Sequence, residues 1–374
     1  MALIMVVALL VTAALVVAAC GTTEETTTTV ALATTTTAAS ATTSAAGETT
    51  TTGVATVEIK KIAVMVPEEA NDFGWNQGHA EAGETFAAEI GAEYVLADGL
   101  GYDDPGAALR QLVADGADWI MATIDGSETV APQVAQRENI YANIIGEFGA
   151  GNLPGFVTDF ETRAYDGGYL AGIVAAMMTK TGTIAAVMSA DDENWTMMTG
   201  GLIAAARAVN PDIKVLLAQV GPFAYGDAPA AKRTTDSAIA AGADVIFGMG
   251  DGSSFGMIQA CETATPPSGA DKVWFIDVIG DKTSLDTKGI YLSSVVWDYL
   301  PAWREAYAAL QAGTFGNEVV YIGLHNDGIG ILKTQHIPDD VWAEVEKAKQ
   351  EIIDGTIQVP QLSLTSELEE LLAK

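Results

Sequence analysis

A regular alternation of short apolar runs with alanine-rich amphipathic segments constrains this chain more than any other feature. The first run, residues 62–66, is apolar throughout and is followed by Pro67, as is typical of a strand buried on both faces of a parallel sheet. Further strands are predicted at 94–97, 119–124, 141–145, 183–188, 215–220, 245–249, 273–279 and 291–296. Helices are predicted at 76–90, 105–115, 128–138, 164–179, 195–209, 228–241, 254–264 and 301–312. About ten strands exceed one core, so the pattern predicts an α/β protein of two doubly wound parallel-sheet lobes joined by a hinge.

The first 57 residues have a different composition from the rest. Residues 2–19 are apolar apart from Thr12 and end in small residues before Cys20, which favours a cleaved signal peptide over a permanent membrane span. The segment 15–20 resembles a bacterial lipobox, in which the Cys20 thiol is acylated, so residues 1–20 are assigned to the signal peptide and lipobox. Residues 21–57 are rich in threonine and are predicted to form a disordered tether.

Charge and cysteine content exclude several classes of protein. The formal net charge is −31, from 18 Lys and Arg against 49 Asp and Glu, which argues against binding nucleic acid or an anionic membrane surface through a basic face. Two cysteines exclude a disulfide scaffold and a zinc site of four thiolates. We expect no metal and no cofactor, and a monomer kept apart by self-repulsion.

Aromatic and acidic residues follow the predicted strands, where ligands bind in doubly wound sheets. In the first half these candidate site residues are Asp72, Trp75, Asn76, Asp125 and Glu147. In the second half they are Trp195, Tyr225, Asp251, Gly252, Asp277 and Trp297. Lys and Arg are not part of this pattern, which suits a neutral or cationic solute with a flat ring and hydroxyl groups rather than a phosphate ester.

Several segments resemble the BMP family of bacterial substrate-binding lipoproteins, whose purine-nucleoside receptors have the type I periplasmic-binding-protein fold. The matching segments, in chain order, are 72–76, 168–176, 243–252, 322–330 and 351–360. The resemblance implies a first lobe of residues 58–161 plus 296–325 and a second lobe of 162–295 plus 326–360. A C-terminal tail of residues 361–374 would follow.

The resemblance also implies roles for individual residues. Trp75 would stack on the ligand ring with Asn76 beside it, and Tyr225 would stack from the opposite side. Asp277 would bind a ribose, and either Glu147 or Asp125 would supply an acid from the first lobe. Most nucleoside receptors of the family carry a lysine near the end of the next strand, where this chain has Val296, Trp297 and Asp298.

Structural roles compete with these interpretations. Trp75 could be a buried staple, Trp195 a core residue at helical spacing, and Asp251 a helix cap. The glycine-rich turn 248–252 resembles a dinucleotide motif, and 252–256 matches a nucleophile pattern, but both lack their partner residues. The acidic segment 191–193 is more typical of a solvated surface than of a metal site.

The function expected from these patterns is that of an extracytoplasmic receptor, anchored to the membrane by lipid, that delivers a small solute to an ABC permease and its ATPase. The solute would be a purine nucleoside or a nucleobase. A receptor for a simple sugar is the main alternative, because aromatics and carboxylates suit sugars equally well. An enzyme would need a base or a metal at the cleft, and a ligand-sensing regulator would need a basic module for binding DNA.

Overall fold

The structure is a computed structural model that describes residues 56–146 and 149–373. Its strands are β1 Lys61–Met65, β2 Glu93–Ala97, β3 Trp119–Ala122, β4 Tyr141–Ile145, β5 Val157–Thr162, β6 Thr183–Met188, β7 Lys214–Gln219, β8 Val245–Met249, β9 Trp274–Ile279, β10 Tyr291–Trp297, β11 Val320–Ile322 and β12 Ile329–Ile331. Its helices are α1 Trp75–Ile90, α2 Gly106–Ala114, α3 Ser127–Glu138, α4 Ala164–Met178, α5 Glu193–Val209, α6 Ala228–Ala240, α7 Ser254–Thr263, α8 Leu300–Ala312, α9 Asp339–Ile353 and α10 Thr365–Leu372.

The strands form two six-stranded sheets. The first has the order β11-β5-β4-β3-β1-β2 and the second β12-β10-β9-β8-β6-β7. Pairing is parallel except between β10 and β12. We call each sheet with its packed helices a lobe. The predicted class, an α/β protein with two doubly wound parallel sheets, is therefore confirmed.

Helices cover both faces of each sheet, which explains the uninterrupted apolar runs. In β1, Ile62 and Val64 face a core shared with α1 and α8, whereas Ala63 and Met65 face a second core shared with α2 and α3. The residues of β6 divide in the same way between the α4–α5 side and the α6–α7 side. A strand buried on both faces has no polar alternation, so its sequence reads as one apolar segment.

Glycines allow α4 and α5 to pack closely against each other. A Cβ atom at Gly168 would lie 2.6 Å from the Met198 Cα. At Gly201 it would lie 2.7 Å from the Tyr169 backbone nitrogen. Both distances are too short for any side chain, so this helix pair requires glycine on each partner.

The chain passes between the lobes at three places in the described residues. It leaves the first sheet after β5, returns after β10 to form α8 and β11, and enters the second sheet again as β12. At the start of the first lobe, the Val57 backbone exchanges two hydrogen bonds with the Gln311 side chain of α8, at 2.9 and 2.8 Å. At the other end, α10 packs on α5, where Arg207 donates to the Leu371 and Leu372 carbonyls.

The predicted strands and helices all occur, with ends that differ by a few residues, but five elements were not predicted. These are β5, β11, β12, α9 and, within the predicted tail, α10. Strand β5 was missed because it carries Asp159 and Glu161, which are both buried. Among the residues described, no helix has the length and hydrophobicity needed to cross a membrane. The predicted signal peptide and Cys20 lie outside the described residues.

Candidate functional site

A cavity of about 220 Å³ lies at the carboxyl ends of strands from both sheets. Its lining from the first lobe is Pro67, Trp75, Asn76, Tyr102, Thr123, Asp125, Ile145, Gly146 and Glu161. Its lining from the second lobe and the end of β10 is Asp192, Glu193, Asn194, Trp195, Met197, Tyr225, Asp251, Ile279 and Trp297. Both lobes therefore supply the wall of one cavity. Its position agrees with the general rule that ligands of doubly wound sheets bind at the carboxyl ends of the strands.

Most of the predicted site residues meet at this cavity. Those that line it are Trp75, Asn76, Asp125, Trp195, Tyr225, Asp251 and Trp297. Asp72, Gly252 and Asp277 are not among the lining residues. Glu147 lies outside the described residues.

A tight turn after β1 sets the position of Trp75, the first residue of α1. Asp72 is buried and accepts hydrogen bonds from the backbone N–H groups of Gly74, Asn76 and Gln77 at 2.9 to 3.2 Å. Phe73 adopts a left-handed conformation with φ of 52°. Asp72 thus organises the loop that presents Trp75, instead of contacting the cavity itself.

Asn76 is 1% exposed, and both ends of its amide hold the same loop. Its Nδ2 donates to Asp72 at 2.7 Å, and its Oδ1 accepts from the Glu68 backbone N–H at 3.1 Å. A contact with the ligand would therefore use the remaining hydrogen-bonding capacity of an amide that is already partly engaged.

A buried aromatic cluster supports Trp75 from behind. The His79 ring lies 4.6 Å from the Trp75 ring and stacks on Tyr299 at 3.7 Å, and Trp297 lies 6.3 Å from Trp75. Complete burial lowers the pKa of His79 to about 3, so His79 is neutral. Burial also raises the pKa of Tyr299 well above its ordinary value. The cluster is therefore an uncharged support for the indole of Trp75.

Two aromatics form the wall of the second lobe. Tyr225 donates its hydroxyl to Asp192 at 2.8 Å, and the Trp195 indole donates to Ser189 at 2.9 Å. Asp192 is also the N-cap of α5, where it accepts from the Asn194 and Trp195 backbone N–H groups. The side chain of Trp195 is 3% exposed. Trp195 is therefore a core residue that also has an edge at the cavity.

Acidic groups dominate the electrostatics of the cavity. Burial is the largest cause of the raised pKa values of Asp192 and Glu193. Burial, together with the nearby Asp72 carboxylate, raises the pKa of Asp251 to about 7, although the hydrogen bond from the Trp75 N–H opposes this rise. Among the described lining residues there is no Lys or Arg. A ligand that carries N–H or O–H donors, or a positive charge, is the chemical match for such a lining.

Asp277 is used inside the second lobe. Its carboxylate forms an ion pair with Lys282 at 3.0 Å, and both side chains are fully buried. It also accepts hydrogen bonds from Ser254 at 2.8 Å and from the Tyr291 hydroxyl at 3.2 Å. The structure therefore brings the predicted ribose acid to a buried polar network beneath the site and not to the cavity wall.

Sequence reasoning missed several lining residues. Tyr102 comes from the loop after β2, where its ring lies 6.3 Å from that of Tyr225 across the cavity and its hydroxyl donates to Glu68 at 2.9 Å. Glu161 belongs to the unpredicted strand β5. Asp192 follows a predicted strand, as Trp195 does, but it was not selected as a site residue, although an Asp directly before a helix signals an N-cap. No group of residues in the described chain has the composition of a metal site.

Residues 59–363 match the family described as ABC transporter substrate-binding protein PnrA-like. The chain belongs to this family. The resemblance predicted from the sequence is therefore confirmed, as is the expectation of a binding protein rather than an enzyme, because members of the PnrA-like family are substrate-binding proteins.

Relatives in the PnrA-like family include a CD4+ T-cell-stimulating antigen of Listeria monocytogenes, 30% identical over 206 residues, which are 52% of this chain and 57% of the relative. The chain thus spans a little over half the length of that relative. The ABC transporter nucleoside-binding protein BmpA of Lactococcus lactis is 30% identical over 202 residues, 51% of this chain and 57% of that protein. A purine-binding protein of Brucella abortus is 24% identical and covers 82% of this chain and 84% of its own length.

A solved structure supports the fold. The ABC transporter solute-binding protein of Conexibacter woesei superposes with a TM-score of 0.65 at 22% identity, covering 81% of this chain and 99% of that one. At this level of identity the likeness shows the two-lobed architecture alone.

Proposed function

We propose that this PnrA-like protein is an extracytoplasmic receptor that binds a purine nucleoside or a nucleobase and delivers it to the permease and ATPase of an ABC importer. The observation that carries the proposal is the cavity itself. It has aromatic rings from both lobes, namely Trp75 and Tyr102 on one side and Trp195 and Tyr225 on the other, and a lining rich in carboxylates.

A purine ring suits this arrangement for two reasons. Flat heteroaromatic rings stack on indole and phenol faces, and their exocyclic amino groups and N–H edges donate hydrogen bonds to carboxylates. Several lining donors are already engaged within the protein, as shown by Tyr225 on Asp192 and Tyr102 on Glu68. The remaining acceptors favour a ligand that donates more hydrogen bonds than it accepts.

The names of the relatives point to the same class of ligand. The Lactococcus relative is a nucleoside-binding protein and the Brucella relative a purine-binding protein. The family resemblance implies a lysine near the end of β10 in most nucleoside receptors, where this chain has residues 296–298. Trp297 of this segment lines the cavity.

Binding is proposed to close the two lobes over the solute. The lobes would be residues 58–161 plus 296–325 and residues 162–295 plus 326–360, with a tail of 361–374. Since each lobe supplies part of the lining, only the arrangement in which both lobes contact the solute satisfies all of its groups, and the solute shifts the equilibrium toward that form.

The proposed site is the set of lining residues Trp75, Asn76, Asp125, Trp195, Tyr225, Asp251 and Trp297. Glu147 stays a candidate from the sequence. Asp72, Gly252 and Asp277 are proposed to act behind the cavity wall, by holding the loops from which the lining residues project.

The ligand class is tested by titrating the purified protein with adenosine, guanosine, adenine, hypoxanthine, D-ribose and D-glucose by isothermal titration calorimetry. We expect saturable binding of at least one purine and no heat from the two sugars. Thermal unfolding of the same mixtures checks the result, because a bound solute raises the melting temperature. Binding of a sugar without any purine would replace this proposal with a sugar receptor.

Membrane attachment is proposed to occur through a lipid on Cys20, after removal of the preceding signal peptide. Cys20→Ser should prevent incorporation of a radiolabelled fatty acid and move the protein from the membrane fraction to the medium. Cys261→Ser is the matched control, because this cysteine is buried in α7. Equal membrane association of Cys20→Ser and the wild type would contradict the lipid anchor.

A further inference from the structure

The N-terminus of α1 has an incomplete cap within its own lobe. The residue at the N-cap position is Gly74, which has no side chain to accept a hydrogen bond. Asp72 accepts from Gly74, Asn76 and Gln77 but not from Trp75. The local loop therefore provides no acceptor for the Trp75 backbone N–H. An unpaired N–H at a buried helix start costs folding free energy.

A residue of the second lobe satisfies that N–H. The Asp251 Oδ1 atom, from the loop between β8 and α7, accepts from the Trp75 N–H at 3.0 Å. Asp251 is 6% exposed. The two residues are 176 positions apart in the chain, so this cap is formed across the cleft and exists only where the lobes meet.

The neighbouring backbones are shaped for this contact. A Cβ atom at Gly74 would overlap Asp251 Oδ1 and lie 3.2 Å from its Cγ. On the other side of the turn, a Cβ atom at Gly280 would lie 2.8 Å from the Phe73 carbonyl carbon. The loop 72–75 therefore fits between two segments of the second lobe, and glycine is required on both sides of the fit.

We propose that Asp251 is a positioning residue, which caps α1 from the opposite lobe and so couples closure of the cleft to the placement of the Trp75 ring. The inference rests on the proposed function insofar as Trp75 stacks on the solute. When the lobes separate, the Trp75 N–H loses its acceptor and the first turn of α1 loses one of its caps. When they meet, the cap forms and the indole is held in place for stacking.

The test uses the full-length protein with adenosine as the probe. Asp251→Asn keeps an acceptor oxygen and loses the charge that burial disfavours, so it should bind adenosine at least as tightly as the wild type. Asp251→Ala lacks both the charge and the acceptor, and its affinity is expected to be about fivefold below that of Asp251→Asn, the usual effect of deleting a helix cap. Asp227→Ala is the matched control, because Asp227 caps α6 within the second lobe alone, by accepting from the Ala230 N–H at 2.9 Å.

A double-mutant cycle separates the interaction from general damage. Gly74→Ala places a methyl group where the Asp251 carboxylate lies, so it should weaken adenosine binding at least about tenfold in the wild type. In the Asp251→Ala background the methyl group has space, and the same change should cost little. An equal loss in both backgrounds would show that the two residues do not meet on binding, and would overturn the proposal.

Amide hydrogen exchange of residues 72–77 gives a readout that does not depend on which solute closes the lobes. At saturation with whichever tested purine or sugar binds the wild type, exchange in this segment should be faster in Asp251→Ala than in the wild type, and unchanged in Asp251→Asn and Asp227→Ala. If the wild type binds no purine while this exchange pattern holds, the proposed function fails and the cap stands. If Asp251→Ala leaves the exchange unchanged, the cap is wrong whatever the ligand is.

Discussion

At the scale of the single residue, the proposed stacking of Trp75 on the solute depends on how its indole is held. Its indole lies between the cavity and a neutral support made by His79 and Tyr299. Because His79 cannot be protonated until the pH approaches about 3, this support keeps the same charge throughout the physiological range. The orientation of the indole then depends on packing and on the hydrogen bonds at the start of α1.

Replacement of this ring tests its role directly. Trp75→Ala should weaken adenosine binding about tenfold to a hundredfold, since a stacked base gains about 1–3 kcal/mol from its aromatic partner. Isothermal titration calorimetry measures the change. Trp342→Ala is the control, because Trp342 lies on α9 and outside the cavity lining. Equal affinities of Trp75→Ala and Trp342→Ala would remove Trp75 from the site.

Residue positions after strands could be predicted from the sequence, but the partners of these residues could not. Trp75, Tyr225 and Asp251 lie in or directly after the loops that follow β1, β7 and β8, and the tendency of ligands to bind at strand ends predicts their place at the cavity. Asp277 lies near the carboxyl end of strand β9, yet Lys282, five positions later, forms an ion pair with it. Nothing in the local pattern distinguishes a carboxylate that has a buried partner from one that faces a ligand.

At the scale of the element, the close packing of α4 against α5 holds the second lobe together. The glycines of this seam, Gly168 and Gly201, face backbone atoms of the opposite helix. Because Asp192 is the N-cap of α5 and Trp195 lies in its first turn, the seam also fixes one wall of the cavity. Damage to the seam should therefore affect stability and ligand binding together.

A methyl group in this seam should destabilise the protein. Gly201→Ala places a Cβ atom 2.7 Å from the Tyr169 nitrogen, and overpacking of this kind costs about 1–3 kcal/mol. The midpoint of urea unfolding should fall accordingly. Gly330→Ala is the control, since its Cβ would meet Val296 at an ordinary 3.6 Å. Similar midpoints for the two variants would mean that the seam can widen at no cost.

Helices and strands with a clear hydrophobic pattern could be predicted from the sequence, whereas strands that depend on pairing with distant segments could not. Strands β1 and β6 are apolar because helices cover both their faces. Strand β5 is buried to the same degree, but its carboxylates interrupt the apolar run. Strands β11 and β12 contain three residues each and owe their extended form to pairing with β5 and β10. Such short segments have too little periodicity to be recognised alone.

At the scale of the whole molecule, the proposed closure would move the Asp251 carboxylate from water into the interface between the lobes. In the structure, burial and the nearby Asp72 carboxylate disfavour its charge, whereas the Trp75 N–H and Lys282 favour it. Its pKa in the structure is about 7, compared with an ordinary value of 3.8. A carboxyl group whose pKa is higher in the closed form binds its proton more tightly in that form, so low pH favours the closed form. This stabilisation is lost as the pH rises through the higher pKa.

Ligand affinity should therefore increase as the pH falls. Between pH 8 and pH 6, where adenosine does not titrate, a single group with these two pKa values strengthens closure about tenfold. Calorimetric titrations at several pH values measure the profile. Asp251→Asn should flatten it, because the amide does not titrate. A wild-type affinity that is constant, or that rises with pH, would contradict this coupling.

The hydrogen bonds between Val57 and Gln311 would have a mechanical consequence if the proposed lipid on Cys20 anchors the protein. They join the start of the described chain to α8, whose Trp303 stacks on Phe86 of α1 at 5.4 Å. Tension from a lipid-linked N-terminus would enter the protein through the first lobe, the lobe that carries Trp75. That lobe would be held near the membrane, and capture of a solute would depend on movement of the second lobe relative to it.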